Sequence, residues 1–482
     1  MITKVIKFLC PLFLMVPFFL IGASDDQKIY YVSSSQGSDS NDGTEERPLK
    51  SIFSSKIPKS GVEIRLKCGD VFYENIKAHN NDFSSYGVGA KPVISGWKIL
   101  PKSNALWTEG RMNNGKWEEK KGTHIWRLDL NQTGFYGRVN SSEPYENNIG
   151  LIMESDTKRM HGRKCEFIYK EDCNDPYKNP QRNTYLKHNF DFAQTSKSKK
   201  SAQPSDYRYL YMYLDHNPSQ HELMFSTYGN GIGAGNTKIN GLRIEGFSCH
   251  GVACGSNVSI SDCEIEYIGG AHQYESVRWV RYGNGVEFYV SKTRENGHVF
   301  NNRISHTFDC ATTIQGSNHI GATAKNIVIE KNIIKNCRQA FEFFLSNSDK
   351  AKKINYDCVG CIFRKNICVD SGENGFESPE YRDTHILSYQ KEYPTSMKIE
   401  GNTFVGGNGL YTATNPSMLR LGRNDYYYSG NEVVLWRSGM PKEVVMLKDR
   451  KNFGKDGKSV ESVTFHQMSP EQLKAKRLEL SK

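Results

Sequence analysis

From residue 242 onward the apolar positions of this chain repeat. An apolar residue is followed by two free positions, a turn position, one free position and a second apolar residue. The template fits Ile244/Phe247/Cys249, Ile260/Cys263/Ile265, Val299/Asn302/Ile304, Ile329/Asn332/Ile334, Phe363/Asn366/Cys368, Ile399/Asn402/Phe404 and Tyr428/Asn431/Val433. Recurrence of one strand–turn–strand unit predicts a solenoid, in which each coil buries its face on the next. Five of the seven turn positions are Asn, a residue that tolerates left-handed backbone and bonds its own chain in turns. Stacked coils should therefore carry an Asn ladder. The gaps between turn positions run from 16 to 39 residues, so coils of common shape carry insertions of unequal length on one face.

A second element follows each turn: a small residue, an apolar residue, then a free residue, as in Gly251-Val252-Ala253, Gly285-Val286-Glu287, Cys310-Ala311-Thr312, Ala340-Phe341-Glu342, Gly375-Phe376-Glu377 and Gly409-Leu410-Tyr411. Strand alternation sends the apolar residue inward and the next outward. The outward column then reads Ala253, Glu287, Thr312, Glu342, Glu377, Tyr411, beside a column of His250, Asn284, Asp309, Gln339, Asn374 and Asn408.

The rest of the chain is less regular. Residues 24–100 read as a cap and first coils, with a short helix expected after Pro48. Residues 101–240 read as irregular β-rich coils with long insertions, including an exposed excursion over 177–203 and a strand over Tyr209–Leu214. Residues 241–440 are the regular coils. In the tail, 441–482, Val460–Phe465 reads as a strand. Ser469-Pro470-Glu471-Gln472 supplies an N-cap, a Pro at the first helical position and a Gln three residues on, which predicts a short C-terminal helix.

Composition narrows the class. With 37% hydrophobic and 24% charged residues, 42 Gly and 16 Pro, the chain is neither collagen-like, a coiled coil nor disordered. Residues 1–23 carry Lys4 and Lys7, no acid, and an apolar run from Phe8 to Ile21, which reads as a signal peptide; the mature protein is expected to be secreted or periplasmic, with no membrane span. Its net charge would be +8, which suits an anionic partner. Of the 12 Cys, Cys249, Cys263 and Cys368 occupy turn or inward positions and read as core thiols; Cys165 and Cys173 are spaced for a local disulfide; Cys358 and Cys361 read as strand and turn residues. No phosphate-binding loop, dinucleotide fingerprint or zinc motif is present, and no nucleic-acid partner or cofactor is expected.

The run Gly37-Ser38-Asp39-Ser40-Asn41-Asp42-Gly43-Thr44, followed by Pro48-Leu49-Lys50-Ser51-Ile52 and then by short strands, resembles the N-terminal cap of secreted pectate-lyase-like proteins. The resemblance spans roughly 28–440 and implies an all-β fold, a right-handed parallel β-helix with an N-terminal cap. It also implies activities of three kinds: glycoside hydrolase, polysaccharide lyase or uronate epimerase. The boxes of polygalacturonases and the clustered Asp of calcium lyases are not reproduced. Gly285-Val286-Glu287-Phe288 and Ala340-Phe341-Glu342-Phe343 look more like bacterial β-helix glycosidases.

Glycoside hydrolysis needs two carboxylates, about 5 Å apart for retention of configuration and about 6.5–9.5 Å for inversion. Glu287, Asp309, Glu342 and Glu377 are the candidates, with Glu287 and Glu342 two coils, roughly 10 Å, apart. Around them, His272, Trp279, Arg281, Tyr282, Gln315 and Arg382 are candidate substrate contacts, joined by His319, Tyr381 and His385. Aromatic faces stack on sugars and Arg forks onto a uronate carboxylate. The expectation is a monomeric hydrolase cleaving a polysaccharide, with an acidic glycan favoured by the charge. A lyase or epimerase would use Arg281, His272 or Arg382 as base, with Ca²⁺ neutralising the uronate. A glycan-binding β-helix without catalysis would keep the aromatic loops and have no need of stacked acids.

Overall fold

The structure, a computed structural model, describes residues 27–113, 116–135, 148–161, 164, 168–169, 186, 189–196, 208–227, 229–275, 278–317, 322–346, 358–373, 383–389, 395–430, 434–437 and 443–481. Three parallel sheets run the length of the chain and form the walls of a parallel β-helix. One full coil is Val258–Ser261 in the first sheet, Glu264–Ile268 in the second and Val286–Tyr289 in the third; the next is Arg294–Phe300, Arg303–Thr307 and Cys310–Ser317. Inward residues stack in files: Ile239, Ile260, Val299, Ile329, Phe363 and Ile399 line the first sheet, all at most 1% exposed. Each such side chain contributes about 1.5–3 kcal/mol by leaving water, and each depends on the coils above and below it.

The Asn ladder forms along the corner between the first and second sheets. Asn302, Asn332, Asn366 and Asn402 each donate from Nδ2 to Oδ1 of the next Asn at 2.9–3.1 Å, ending on Asn424. The same nitrogen donates at 3.0 Å to a strand carbonyl, Val299 O in the case of Asn332. Each Oδ1 also accepts the backbone N–H of the preceding rung. In Asn332, Asn366 and Asn402 both amide hydrogens donate and Oδ1 accepts twice. The left-handed residue at this corner is the one before the Asn, as at Asn301, Lys331, Lys365 and Gly401, so the Asn is there for its side chain. Two template fits shift. Pairing of Ile239 with Ile260 and of Ile244 with Ile265 makes Ile239/Leu242/Ile244 the coil at the start, in place of Ile244/Phe247/Cys249. Pairing of Phe404 with Tyr426 makes Leu421/Asn424/Tyr426 the last; Asn431 lies outside the described residues. A second ladder, Asn80, Asn236, Asn257 and Asn296, all left-handed, runs along the exposed corner between the third and first sheets.

Residues 51–60 are turns rather than a helix. The 97–226 segment is not a set of coils. Its strands pair mostly antiparallel, with Trp97–Leu100 against Leu223–Ser226 and Ile125–Asp129 between Trp107–Asn113 and Tyr209–Tyr213, around a core of its own that includes Trp107, Leu128, Phe192 and Leu210. This lobe leaves the helix after Val93–Ser95 in the second sheet and returns before Ile232–Gly235 in the third. A hairpin, Ala271–Glu275 with Arg278–Tyr282, emerges from the same corner two coils later. The C-terminal helix, Pro470–Leu480, starts on the expected capping box at Ser469 and Gln472. It lies on the outside of the second sheet, where Leu473 packs with Val369 and Val405 and Arg477 pairs with Asp370 at 2.8 Å. No helix among the described residues is long and apolar enough to cross a membrane. Residues 1–26, which hold the expected signal peptide, lie outside the described residues, as do Cys165 and Cys173. Every described cysteine is a free thiol.

Candidate active site

The third sheet and the corner leading into it bring the carboxylates together. The outward column there is Ala253, Glu287, Thr313, Glu342, Leu387, Thr412. Three of its members differ from the sequence expectation. Thr312 is inward and fully buried, its hydroxyl donating to Ala340 O at 3.2 Å, so Ala311 takes the small-residue place and the column falls on Thr313. Tyr411 is likewise inward and fully buried. Residues Thr384-His385-Ile386-Leu387 form the coil expected at 374–377; Asn374 and Glu377 lie outside the described residues. Close packing fixes the small position: a Cβ on Gly285 would sit 2.5 Å from Ala311 O.

The one-residue shift moves Cys310 into the file with Asn284 and Gln339 and places Asp309 in the next file, beside Arg338 and Asp383 of the two following coils. From there Asp309 reaches the Glu342 side chain. One ligand oxygen of each, with Cys310 Sγ, lie within 4.8 Å of one another. Cys310 Sγ is 3.4 Å from Glu342 Oε2, 3.3 Å from Gln339 Oε1 and 3.7 Å from Asp309 Oδ1, and Thr313 Oγ1 donates to Glu342 Oε2 at 3.4 Å. Arg338 Nε donates to Asp383 Oδ2 at 2.5 Å.

Glu287 is held separately. Gln315 Nε2 donates to its Oε1 at 2.7 Å, Asn284 Nδ2 approaches the same oxygen at 3.4 Å, and His250 Nε2 lies 3.0 Å from Oε2. Tyr282 closes over His250, its ring edge-on at 5.5 Å and its hydroxyl 3.1 Å from Cys249 Sγ.

The environments push the acids apart. Burial, then the charge of Asp309, holds the Glu342 carboxyl well above the usual carboxylate range. Burial raises Asp309 too; Arg338 draws it back and Asp383 opposes Arg338. Two carboxyls this close share a proton. With Arg338 beside Asp309, the proton belongs on Glu342. Burial and both acids push the Cys310 thiol well up, so it serves as an S–H donor. Asp309, Cys310 and Glu342 also have the spacing to hold a cation, at the cost of two protons that burial keeps in place.

Of the expected substrate contacts, Gln315 is in the site and Tyr282 at its edge. His272 and Arg281 are not in the groove. They seal the seam between hairpin and lobe: Asn148 Nδ2 donates to His272 O at 2.8 Å, and Arg281 donates from Nε to Gly270 O and from Nη2 to Gly150 O, each at 3.0 Å, with its guanidinium 4.2 Å over Phe308. The His272 ring is 2% exposed, and burial keeps it well below the ordinary histidine range. His385 is in the core, its Nε2 on Gly406 O at 3.0 Å. The Trp279 side chain, His319, Tyr381 and Arg382 lie outside the described residues. The sequence set His250 in the column beside the acids and Cys310 at a small-residue position, neither with a role in the site, and singled out neither Arg338 nor Asp383. The His250-Gly251 pair at a corner was the available signal for the first; nothing marked the others before the register was known.

No family model matches the chain, and no curated protein is similar to it. Among solved structures, a complex of XylC with xylose is similar at 11% identity and TM-score 0.46, covering 87% of this chain and 73% of that one. The GH136 lacto-N-biosidase from Eubacterium ramulus is similar at 11% identity and TM-score 0.33, covering 92% and 68%. A structure described as a glycoside hydrolase is similar at 9% identity and TM-score 0.35, covering 92% and 95%. At these identities and scores the likeness assigns neither a family nor an activity.

Proposed function

We propose that this chain is an exported glycoside hydrolase acting with retention of configuration, with Glu342 as acid and base and Asp309 as nucleophile. The carrying observation is the convergence of the two carboxyls from neighbouring coils, with a ligand oxygen of each no more than 4.8 Å from the other, which suits the close pair of a retaining enzyme better than the about 6.5–9.5 Å of an inverting one. Asp309 attacks the anomeric carbon while Glu342 gives its proton to the glycosidic oxygen, and the leaving sugar departs with that proton. Glu342, now a carboxylate, takes a proton from water as the water displaces Asp309. The proton returns to Glu342 and the nucleophile is restored. Glu287, its position fixed by Gln315 and His250, accepts a hydroxyl of the bound sugar.

The site favours a neutral sugar over the acidic glycan suggested by net charge. Glu287, Asp309, Glu342 and Asp383 converge there. Of the described cations nearby, Arg338 is engaged by Asp383 and Arg281 by backbone carbonyls. The lyase reading loses His272 and Arg281 as bases, since both are spent in the seam.

A panel of neutral and acidic oligosaccharides, with products read by mass and by proton NMR during the first turnovers, tests the proposal. A gain of water and a first-formed anomer of unchanged configuration are expected. An unsaturated uronate product, an inverted anomer, or no cleavage of any member would overturn it.

A further inference from the structure

The hydrolase reading leaves a row of aromatic residues unused. Each lies two positions beyond the outward column: Tyr289 after Glu287 and Phe344 after Glu342 on their strands, and Tyr389 after Leu387, one residue past the end of the Ile386–Ser388 strand, with Gln315 in the row between the first two. Two residues along a strand is about 6.6 Å. Tyr289 and Tyr389 are each 40% exposed, unusual for large rings on or beside the strands of a regular stack, where a large side chain is normally covered. Phe344 and Tyr389 meet edge to face with centroids 5.5 Å apart, which braces the two rings at fixed angles. Burial of its phenol and the charges of Glu342 and Asp309 push the Tyr389 pKa up.

The order of groups along the sheet gives the row a direction. Asp309 stands at the corner, Glu342 follows on the strand, and Phe344 and Tyr389 lie beyond. A nucleophile and an acid flank the bond that breaks, and the acid is on the side of the leaving group. We infer that Phe344 and Tyr389 form the leaving-group subsite, a stacking platform for a pyranose that presents its C–H face. Aromatic faces suit such a face, and a braced pair orients it at little entropic cost. This inference rests on the hydrolase reading above.

The test compares two substrates that share the sugar cleaved from the panel. One is a disaccharide, whose leaving group is a pyranose. The other is the glycosyl fluoride, which has no ring to stack and needs no proton from Glu342. Tyr389→Ala and Phe344→Ala should lower kcat/KM on the disaccharide by about 10- to 100-fold, and on the fluoride by less than threefold. Tyr389→Phe, which keeps the ring, should restore most of the disaccharide rate. Equal losses on both substrates, or no loss on the disaccharide, would overturn the inference. A wild-type protein that cleaves neither would instead sink the hydrolase reading and take the subsite with it. Glu342→Gln separates the two: it should lose cleavage of the disaccharide and keep the first-turnover release of fluoride, with slow turnover afterwards because Glu342 is also the base for water, whether or not the aromatic subsite exists.

Discussion

The backbone N–H of Asn284 donates to Nδ1 of His250 at 3.1 Å, which leaves Nε2 as the donor facing Glu287 Oε2 at 3.0 Å. The corner between two sheets thus sets the tautomer of a side chain that orients an acid. Glu287 accepts from two directions and keeps a lone pair for a ligand hydroxyl. Replacing Glu287 with Gln puts an amide where Gln315 and His250 both donate. A charge-assisted hydrogen bond is worth about 1.5–3 kcal/mol, so Glu287→Gln should lower kcat/KM by about 10- to 100-fold. His250→Ala should cost less, about tenfold, because Gln315 still holds one oxygen. Steady-state kinetics on a cleaved oligosaccharide checks both; an unchanged kcat/KM for Glu287→Gln would remove it from the site.

The proton on Glu342 has a stability consequence. The folded chain keeps that proton to higher pH than the unfolded chain, whose Glu titrates near 4.5. The native state therefore binds more protons as pH rises above 4.5, and stability falls with pH until Glu342 ionises in the folded state. Glu342→Gln removes the cost. The variant should melt at a higher temperature than wild type at pH 7, by about 1 °C per kcal/mol recovered in a chain of this length, and the difference should vanish below pH 4. Asp309→Asn should act in the same direction with a smaller gain. Thermal melts at pH 4 and 7 decide; equal offsets at both pH values would mean that burial of the carboxyl is not the cause.

The stack was legible in the sequence because its turns repeat an amide that only a ladder can satisfy. Asn302, Asn332, Asn366 and Asn402 lie in neighbouring turns as their spacing implied. The ends of the repeat were misread where Leu242 replaces Asn, and where Asn431 stood near the true rung, Asn424. Residues 97–226 were opaque because antiparallel strands of the same short length carry the same alternation as coil strands. At the site, Glu287 and Glu342 followed from strand alternation. Asp309 was expected near them, but its exact file depended on a one-residue choice between Ala311 and Thr312 as the inward residue. Composition favoured Ala311; a buried hydroxyl with a carbonyl partner made Thr312 the answer. His272 and Arg281 were drawn to the groove by residue type alone, and no sequence signal shows that a lobe more than a hundred residues away covers them.

The ladder gives a third prediction. Asn366→Ala would strip partners from Asn332 N–H, Ile329 O and Asn402 Oδ1 at once, all in the interior. Leaving such groups unpaired costs about 1–3 kcal/mol each. Asn366→Ala should therefore destabilise by several kcal/mol and Ile329→Asp should prevent folding. Asn257→Gly, on the exposed left-handed ladder, should be nearly neutral because Gly adopts that backbone freely. Urea unfolding of the three variants tests the contrast; comparable losses for Asn366→Ala and Asn257→Gly would refute the separate roles assigned to the two corners.

The C-terminal helix ties coils that are distant in sequence. Leu473 is 3% exposed and packs with Val369 and Val405, Arg477 pairs with Asp370, and Ser481 O accepts from Arg303 Nη2 at 2.5 Å. The helix thus bridges the coil that carries Asp309 and coils nearer the C-terminus, on the outside of the second sheet, one wall away from the carboxylates. Its own propensity does not hold it there, since an eleven-residue helix is marginal alone. The buried leucine supplies most of the attachment. Leu473→Ala should cost about 2–4 kcal/mol, whereas Arg477→Ala, breaking a part-exposed ion pair, should cost about 1 kcal/mol or less. Because the acids reside on the third sheet, Leu473→Ala should lower the melting temperature while leaving kcat/KM at 25 °C within twofold of wild type. Hydrogen exchange of the Thr403–Val405 and Asn424–Ser429 strands should speed up in that variant, as the outer coils lose their strap. A variant with normal melting and exchange would show that the helix merely rests on the sheet.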